Sequence, residues 1–262
     1  MKCFVIGRTI ALIVLCAVSL SVQAQKKVQD SLVYNARDRP FVSDCTYSLK
    51  LRDVAIPIVL VSVSAISISN GFLKQCRFDV QDALSNNGKN KICIDDYLQY
   101  TPMIVTYSLD LCRIKARHKL KDRILINGMS YIIMGISVNV IKLLIEEKRP
   151  DTNAMNSFPS GHTATAFMGA EILRKEYAEI SPWVGYSGYA VAVITGYLSV
   201  YNNRHYINDV IAGACIGILS TKLSYWLYPK IFTRSQRRDN LSASILPNCS
   251  YEGLGLTMSI NF

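Results

Sequence analysis

Apolar residues along this chain gather into long stretches joined by short charged segments. Residues 54–73 carry no charged side chain, and a run of that length suffices to span a ~30 Å hydrocarbon core, although Pro57, Ser62, Ser64, Ser67 and Ser69 soften it. Shorter apolar stretches follow at 97–109, 124–141, 163–170, 180–203 and 210–228. Their lengths and patterning predict helices rather than strands, hence an all-helical, membrane-associated bundle. Between the first two stretches, residues 74–96 are of mixed charge and contain Ser85-Asn86-Asn87-Gly88, which predicts a loop. Near the C-terminus the period changes to two. Leu254, Leu256, Met258, Ile260 and Phe262 alternate with Gly253, Gly255, Thr257, Ser259 and Asn261, which predicts one short strand. It is either an edge strand or tail, or the terminal strand of an outer-membrane β-protein, though one strand cannot close a barrel.

The first residues divide from the rest. Lys2 and Arg8 precede an apolar run over 9–22, and Val22-Gln23-Ala24 is a site that a signal peptidase accepts. The expected organisation is a signal peptide at 1–24, a polar lead at 25–52, a helical domain at 53–230, and a basic tail with the strand at 231–262. An uncleaved anchor is the alternative for the leader. Export would place the six remaining cysteines in an oxidising compartment. Cys76 and Cys93 flank a polar stretch and form a candidate pair, whereas Cys112 and Cys215 lie in apolar segments as buried thiols.

Half of the 262 residues are hydrophobic, only 18% are charged, and the formal net charge is +10. That balance suits an anionic lipid surface or a phosphorylated substrate. Nucleic acid is not expected as a partner, because no recognisable nucleic-acid module occurs. Arg113, Lys115, Arg117, Lys119, Lys121 and Arg123 form a basic joint that the positive-inside tendency assigns to the cytoplasm. Successive crossings then bring residues 142–149, 159–162 and 205–209 to the opposite, periplasmic side. A cleaved leader conflicts with this count, since two apolar segments precede the basic joint. Either one of them does not span, or the leader stays in place; several segments are short for spanning, so a periplasmic helical protein resting on a membrane is the alternative.

Three clusters within that scheme carry phosphoryl-transfer chemistry. Lys142 and Arg149-Pro150 supply two cations, and the fork of Arg149 can grip two phosphate oxygens. If the helix continued from 124 to 148, both would point toward one pocket. Pro159-Ser160-Gly161-His162 precedes an apolar run, so Ser160 is placed as an N-cap whose helix directs its first amides at an anion. Gly161 permits close backbone approach, and His162 adds an imidazole. His205 and Asp209 are one helical turn apart, within reach for the carboxylate to fix the imidazole tautomer. No ligand set for zinc, calcium or magnesium and no nucleotide-binding glycine loop is visible, so no cofactor is expected.

The order and spacing of these clusters resemble the type-2 phosphatidic acid phosphatase (PAP2) family, which also contains the vanadium haloperoxidases, over roughly residues 95–230. The resemblance implies His205 as nucleophile, Asp209 as its orienting partner, His162 as proton donor to the leaving oxygen, and Lys142, Arg149, Ser160 and Gly161 as the phosphate cradle. It implies hydrolysis of a phosphomonoester or pyrophosphate, on lipid A, an isoprenyl pyrophosphate or a phosphatidyl phosphate, at a bacterial membrane with the site facing the periplasm. A vanadate-dependent peroxidase and a non-catalytic lipid-phosphate binder are the other readings. One position departs: the family's Arg, six residues before the nucleophile, is Ser199 here. Arg204 adjoins His205 and projects elsewhere on a regular backbone, so a slowed or silent enzyme is expected.

Overall fold

The computed structural model describes residues 47–85, 94–112, 114–239, 242–250 and 253–261. The leader and most of the polar lead lie outside them. The helices are α1 (Leu51–Ser69), α2 (Gly71–Leu84), α3 (Asp95–Leu98), α4 (Thr101–Leu111), α5 (Leu120–Leu144), α6 (Gly161–Tyr177), α7 (Pro182–Tyr201) and α8 (Ile207–Asp239). A hairpin of β1 (Ser242–Ser250) and β2 (Gly253–Asn261) follows, antiparallel, with Ser242 opposite Asn261 and Ser250 opposite Gly253. The all-helical expectation holds for the bundle, and the terminal strand has a partner that the sequence did not reveal. Pro247-Asn248 interrupts any period-two pattern over β1.

Helix α6 is the axis. Its side chains are buried on nearly every side, as expected of a helix that is packed all round. Ala164, Ala166 and Ala170 keep it thin enough for α7 and α8 to pack closely against it. Its continuation past residue 170, through Glu171, Arg174, Lys175 and Glu176, was hidden by those charges. They are satisfied internally: Arg174 donates twice to Glu171, and Glu176 accepts from Tyr225 and lies 2.8 Å from His118. Where α6 meets α8 there is no room for side chains. A Cβ on Gly213 would lie 2.4 Å from the Ser160 carbonyl oxygen, and one on Gly217 would lie 2.3 Å from that of Ala164.

The apolar run over 54–73 is two helices, because the chain turns at Asn70. Asn70 is extended (ψ 123°), and its side chain accepts from the Leu73 amide to cap α2. Residues 74–84, expected as loop, are therefore helical. Residues 86–93, with Cys93, lie outside the description, and Cys76 is an exposed free thiol. Cys112 is also exposed, contrary to expectation, because α4 ends beside it at Leu111. Cys215 is buried as expected.

Contacts fix the direction of each helix. Asp53 near the start of α1 meets Lys222 deep in α8, while Asn208 at the start of α8 donates to the Ser64 carbonyl. Helix α1 thus runs toward the end of the bundle at which α8 begins. Helix α4 runs back, closing on Arg123 at the start of α5 through Asp110. Six helices, α1 and α4 to α8, alternate in direction between the two ends. Leu51–Ser69, Leu120–Leu144 and Ile207–Phe232 are long and apolar enough to cross a membrane. Ile56, Val59, Val63, Ile132, Ile136 and Val193 are among the large apolar residues exposed around the middle, where lipid can cover them.

Candidate active site

All seven predicted site residues gather at the end of the bundle where α5 stops and α6 and α8 start. Lys142 is in the last turn of α5, and its ammonium donates to the Asn156 carbonyl at 2.8 Å. Helix α5 ends at Leu144, so the predicted continuation to residue 148 does not occur. Ile145 is extended, Pro150 disfavours helical backbone at Arg149, and the Glu147 carbonyl is taken by the Ser157 amide. Arg149 reaches the site from this non-helical segment, with its own amide bonded to the Ala154 carbonyl. Its Nε is buried with no partner among the described residues, a donor available to an anion. Lys142 lies within electrostatic range of both Arg149 and Asp209.

Ser160 caps α6, accepting from the Thr163 amide at 3.4 Å, as its sequence context predicts. A Cβ on Gly161 would meet nothing within 4 Å, so the first turn of α6 opens onto free space. His162 is one residue into that helix and partly exposed, with Nε2 3.1 Å from Asp96 Oδ1.

His205 and Asp209 are both buried, at 1% and 0% side-chain exposure, and their nearest atoms, Nδ1 and Oδ2, are 3.6 Å apart. That separation is long for a direct hydrogen bond. Ser157 Oγ sits beside both: it donates to Asp209 Oδ2 at 2.5 Å and lies 3.4 Å from His205 Nδ1. Asp209 Oδ2 also accepts from the Tyr206 amide, and the Asp209 carbonyl accepts from the Ser160 amide.

Position 199 is Ser199, 1% exposed, with its hydroxyl bonded to the Thr195 carbonyl of α7. Arg204 does not replace the absent guanidinium there. Asn203 adopts φ 59°, a left-handed conformation that Asn tolerates, and turns the chain at this point. Arg204 then grips Asp96 through two donors at 2.6 and 3.2 Å and reaches Asp95 at 3.1 Å. That hydrogen bond and charge hold the Asp96 carboxyl below its usual range against burial, whereas burial pushes the Asp95 carboxyl up.

Sequence reasoning missed five residues here: Ser157, Asp95, Asp96, Arg77 and Glu147. Arg77 on α2 is buried and pairs with Glu147 at 2.6 Å, tying α2 to the segment that carries Arg149. Gln81, one turn on, donates to Asn203 and to the Val200 carbonyl. None of the five carries a sequence signal of its own; Ser157 has only its position two residues before Pro159. Among the described residues no group of His, Cys, Asp or Glu could hold a metal ion.

Residues 123–233 match the sequence model of the PAP2 superfamily. That segment, which carries all seven predicted site residues, is a PAP2 superfamily segment. A lipid A 1-phosphatase of Porphyromonas gingivalis is 35% identical over 179 residues, 68% of this chain, which spans 39% of that relative's length. A transmembrane PAP2-type phosphatidylglycerolphosphate phosphatase of Bacillus subtilis is 17% identical, with a TM-score of 0.46 over 69% of this chain and 98% of its own. LpxE of Aquifex aeolicus is 19% identical, with a TM-score of 0.39 over 67% and 98%.

Proposed function

We propose that this protein hydrolyses a phosphate ester or pyrophosphate on a membrane lipid, by way of a phosphohistidine at His205. The observation that carries the reading is the convergence, at one end of a lipid-facing bundle, of two cations, a helix N-terminus and two histidines beside carboxylates. A phosphate held by Arg149, Lys142 and the first amides of α6 presents phosphorus to His205, with His162 placed to protonate the leaving oxygen. The 35% identity to a lipid A 1-phosphatase favours the 1-phosphate of lipid A over isoprenyl pyrophosphate or phosphatidyl phosphate. The site end faces the periplasm in this reading. Lys50, Arg52, Lys115, Arg117, Lys119 and Lys121 flank the other ends of α1 and α5, where the positive-inside tendency places the cytoplasm.

The test is phosphate release by detergent-purified protein from a panel of lipid A, undecaprenyl pyrophosphate and phosphatidic acid, with EDTA and beside His205→Ala. Release that survives EDTA and falls by ~10³-fold or more in His205→Ala supports the proposal. Equal release from both proteins overturns it.

A second reading has its own observation. With Ser199 in the family's arginine position and Arg204 committed to Asp95 and Asp96, the protein would bind lipid phosphates without turning them over. No release by the wild type, together with binding to lipid A vesicles that Arg149→Ala abolishes, selects this reading.

A further inference from the structure

Ser157 stands where the three catalytic segments meet. Its amide donates to the Glu147 carbonyl in the segment that carries Arg149, and its hydroxyl reaches both Asp209 and His205 from α8 and the turn before it. It is wholly buried, as are Asp209 and, to within 1%, His205. The hydroxyl's hydrogen can serve only one neighbour. An ionised carboxylate accepts and cannot donate, and 2.5 Å suits a hydroxyl donating to a carboxylate. The Ser157 oxygen then has a lone pair free toward His205 Nδ1, so the hydrogen on that contact belongs to the imidazole. The sequence of donors is therefore His205 Nδ1–H to Ser157 Oγ, and Ser157 Oγ–H to Asp209 Oδ2.

We infer that Ser157 is the positioning residue that sets the tautomer of His205, passing the orienting effect of Asp209 across a gap too long for a direct bond. This rests on the phosphohistidine reading above for its catalytic meaning. With Nδ1 protonated, Nε2 carries the lone pair. As the Nε2–phosphorus bond forms and the bond from phosphorus to the leaving oxygen breaks, the leaving oxygen takes the proton of His162. The His205 ring becomes positive while keeping its Nδ1 proton, and the Ser157 hydroxyl links that charge to the Asp209 carboxylate. Water later attacks phosphorus, giving a proton to the now neutral His162, and the Nε2–phosphorus bond breaks with its electron pair returning to Nε2.

The chain has three histidines, so selective ¹⁵N-histidine labelling gives a spectrum simple enough to assign, with His205→Ala identifying the relevant ring. In the wild type at neutral pH the proton of His205 is expected on Nδ1. In Ser157→Ala that preference should be lost, and kcat should fall ~10- to 100-fold with KM within about twofold. A wild-type proton on Nε2 overturns the inference, as does a Ser157→Ala protein with unchanged tautomer and kcat within twofold. Should Ser157→Ala not fold, the wild-type tautomer decides alone. A wild type that cleaves no lipid in the panel sinks the phosphatase reading, while the tautomer measurement still judges Ser157.

Discussion

On the phosphohistidine reading proposed above, Ser199 is the residue that limits the rate. Charge-assisted donors to a phosphoryl transition state are each worth up to ~100-fold, and this site has one fewer than its family pattern, with Arg204 held elsewhere. Ser199→Arg is expected to raise turnover by ~10- to 100-fold at saturating lipid; a variant that folds and shows no rise refutes the account of a missing cation. Asp96 has a different signature. Its carboxyl is held below the usual range, so its contribution is fully present above the ordinary carboxylate value and disappears as pH falls through the lowered one. Asp95, pushed up by burial, works in the opposite sense and offsets part of that loss. Thermal midpoints of wild type and Asp96→Asn should therefore converge on acidification below ~pH 4, and parallel curves would count against the pairing. Seven candidate site residues could be nominated from the sequence, because six carry polar or charged side chains in spaced clusters and Gly161 lies within one of those clusters. Ser157 and Asp96 could not, because a serine or an aspartate acquires meaning only from what the fold sets beside it.

Among the elements, α2 shows best why the sequence under-reported the site. Its mixed charge and following loop residues predict no structure, and its moderate polarity suits a helix that lies over the end of the bundle rather than through it. Arg77 and Gln81, one turn apart, each hold a different catalytic segment. Arg77→Ala strands Glu147 in a nearly dry setting and should lower the thermal midpoint and raise KM by loosening the Arg149 segment. An unchanged midpoint with unchanged KM would show α2 to be incidental. The contact between α6 and α8 was equally invisible, since glycine at 213 and 217 reads as weak helix. Gly213→Ala forces a methyl against the Ser160 carbonyl and should cost about 1–3 kcal/mol. Gly128→Ala on α5, with nothing within 4 Å, is the control and should be neutral or stabilising. Equal midpoints for the two variants in detergent would contradict this packing.

Taken whole, the bundle sets six helices alternating in direction, with its candidate chemistry at one end and a basic joint at the other. The convergence of the three clusters was predictable from charge in the joints alone. The courses of α1 and α4 were not, because α4 has only 11 residues and α1 ends inside the apolar run that suggested it. With the native cysteines replaced, Asn153→Cys should react with an impermeant thiol reagent in cells whose outer membrane is permeabilised. Lys115→Cys should react only once the inner membrane is breached, and the reverse pattern would turn the protein over. The direction of α1 bears on the leader as well. Residue 50 lies at the basic end, so if residues 25–50 stay on one side of the membrane, a leader cut after Ala24 on the outer side would invert everything downstream and deliver the phosphatase chemistry to the cytosol. The mass of the mature N-terminus is therefore a compass: one peptide bond, intact or cleaved, tells which compartment's phosphates lie within reach of a histidine 180 residues away.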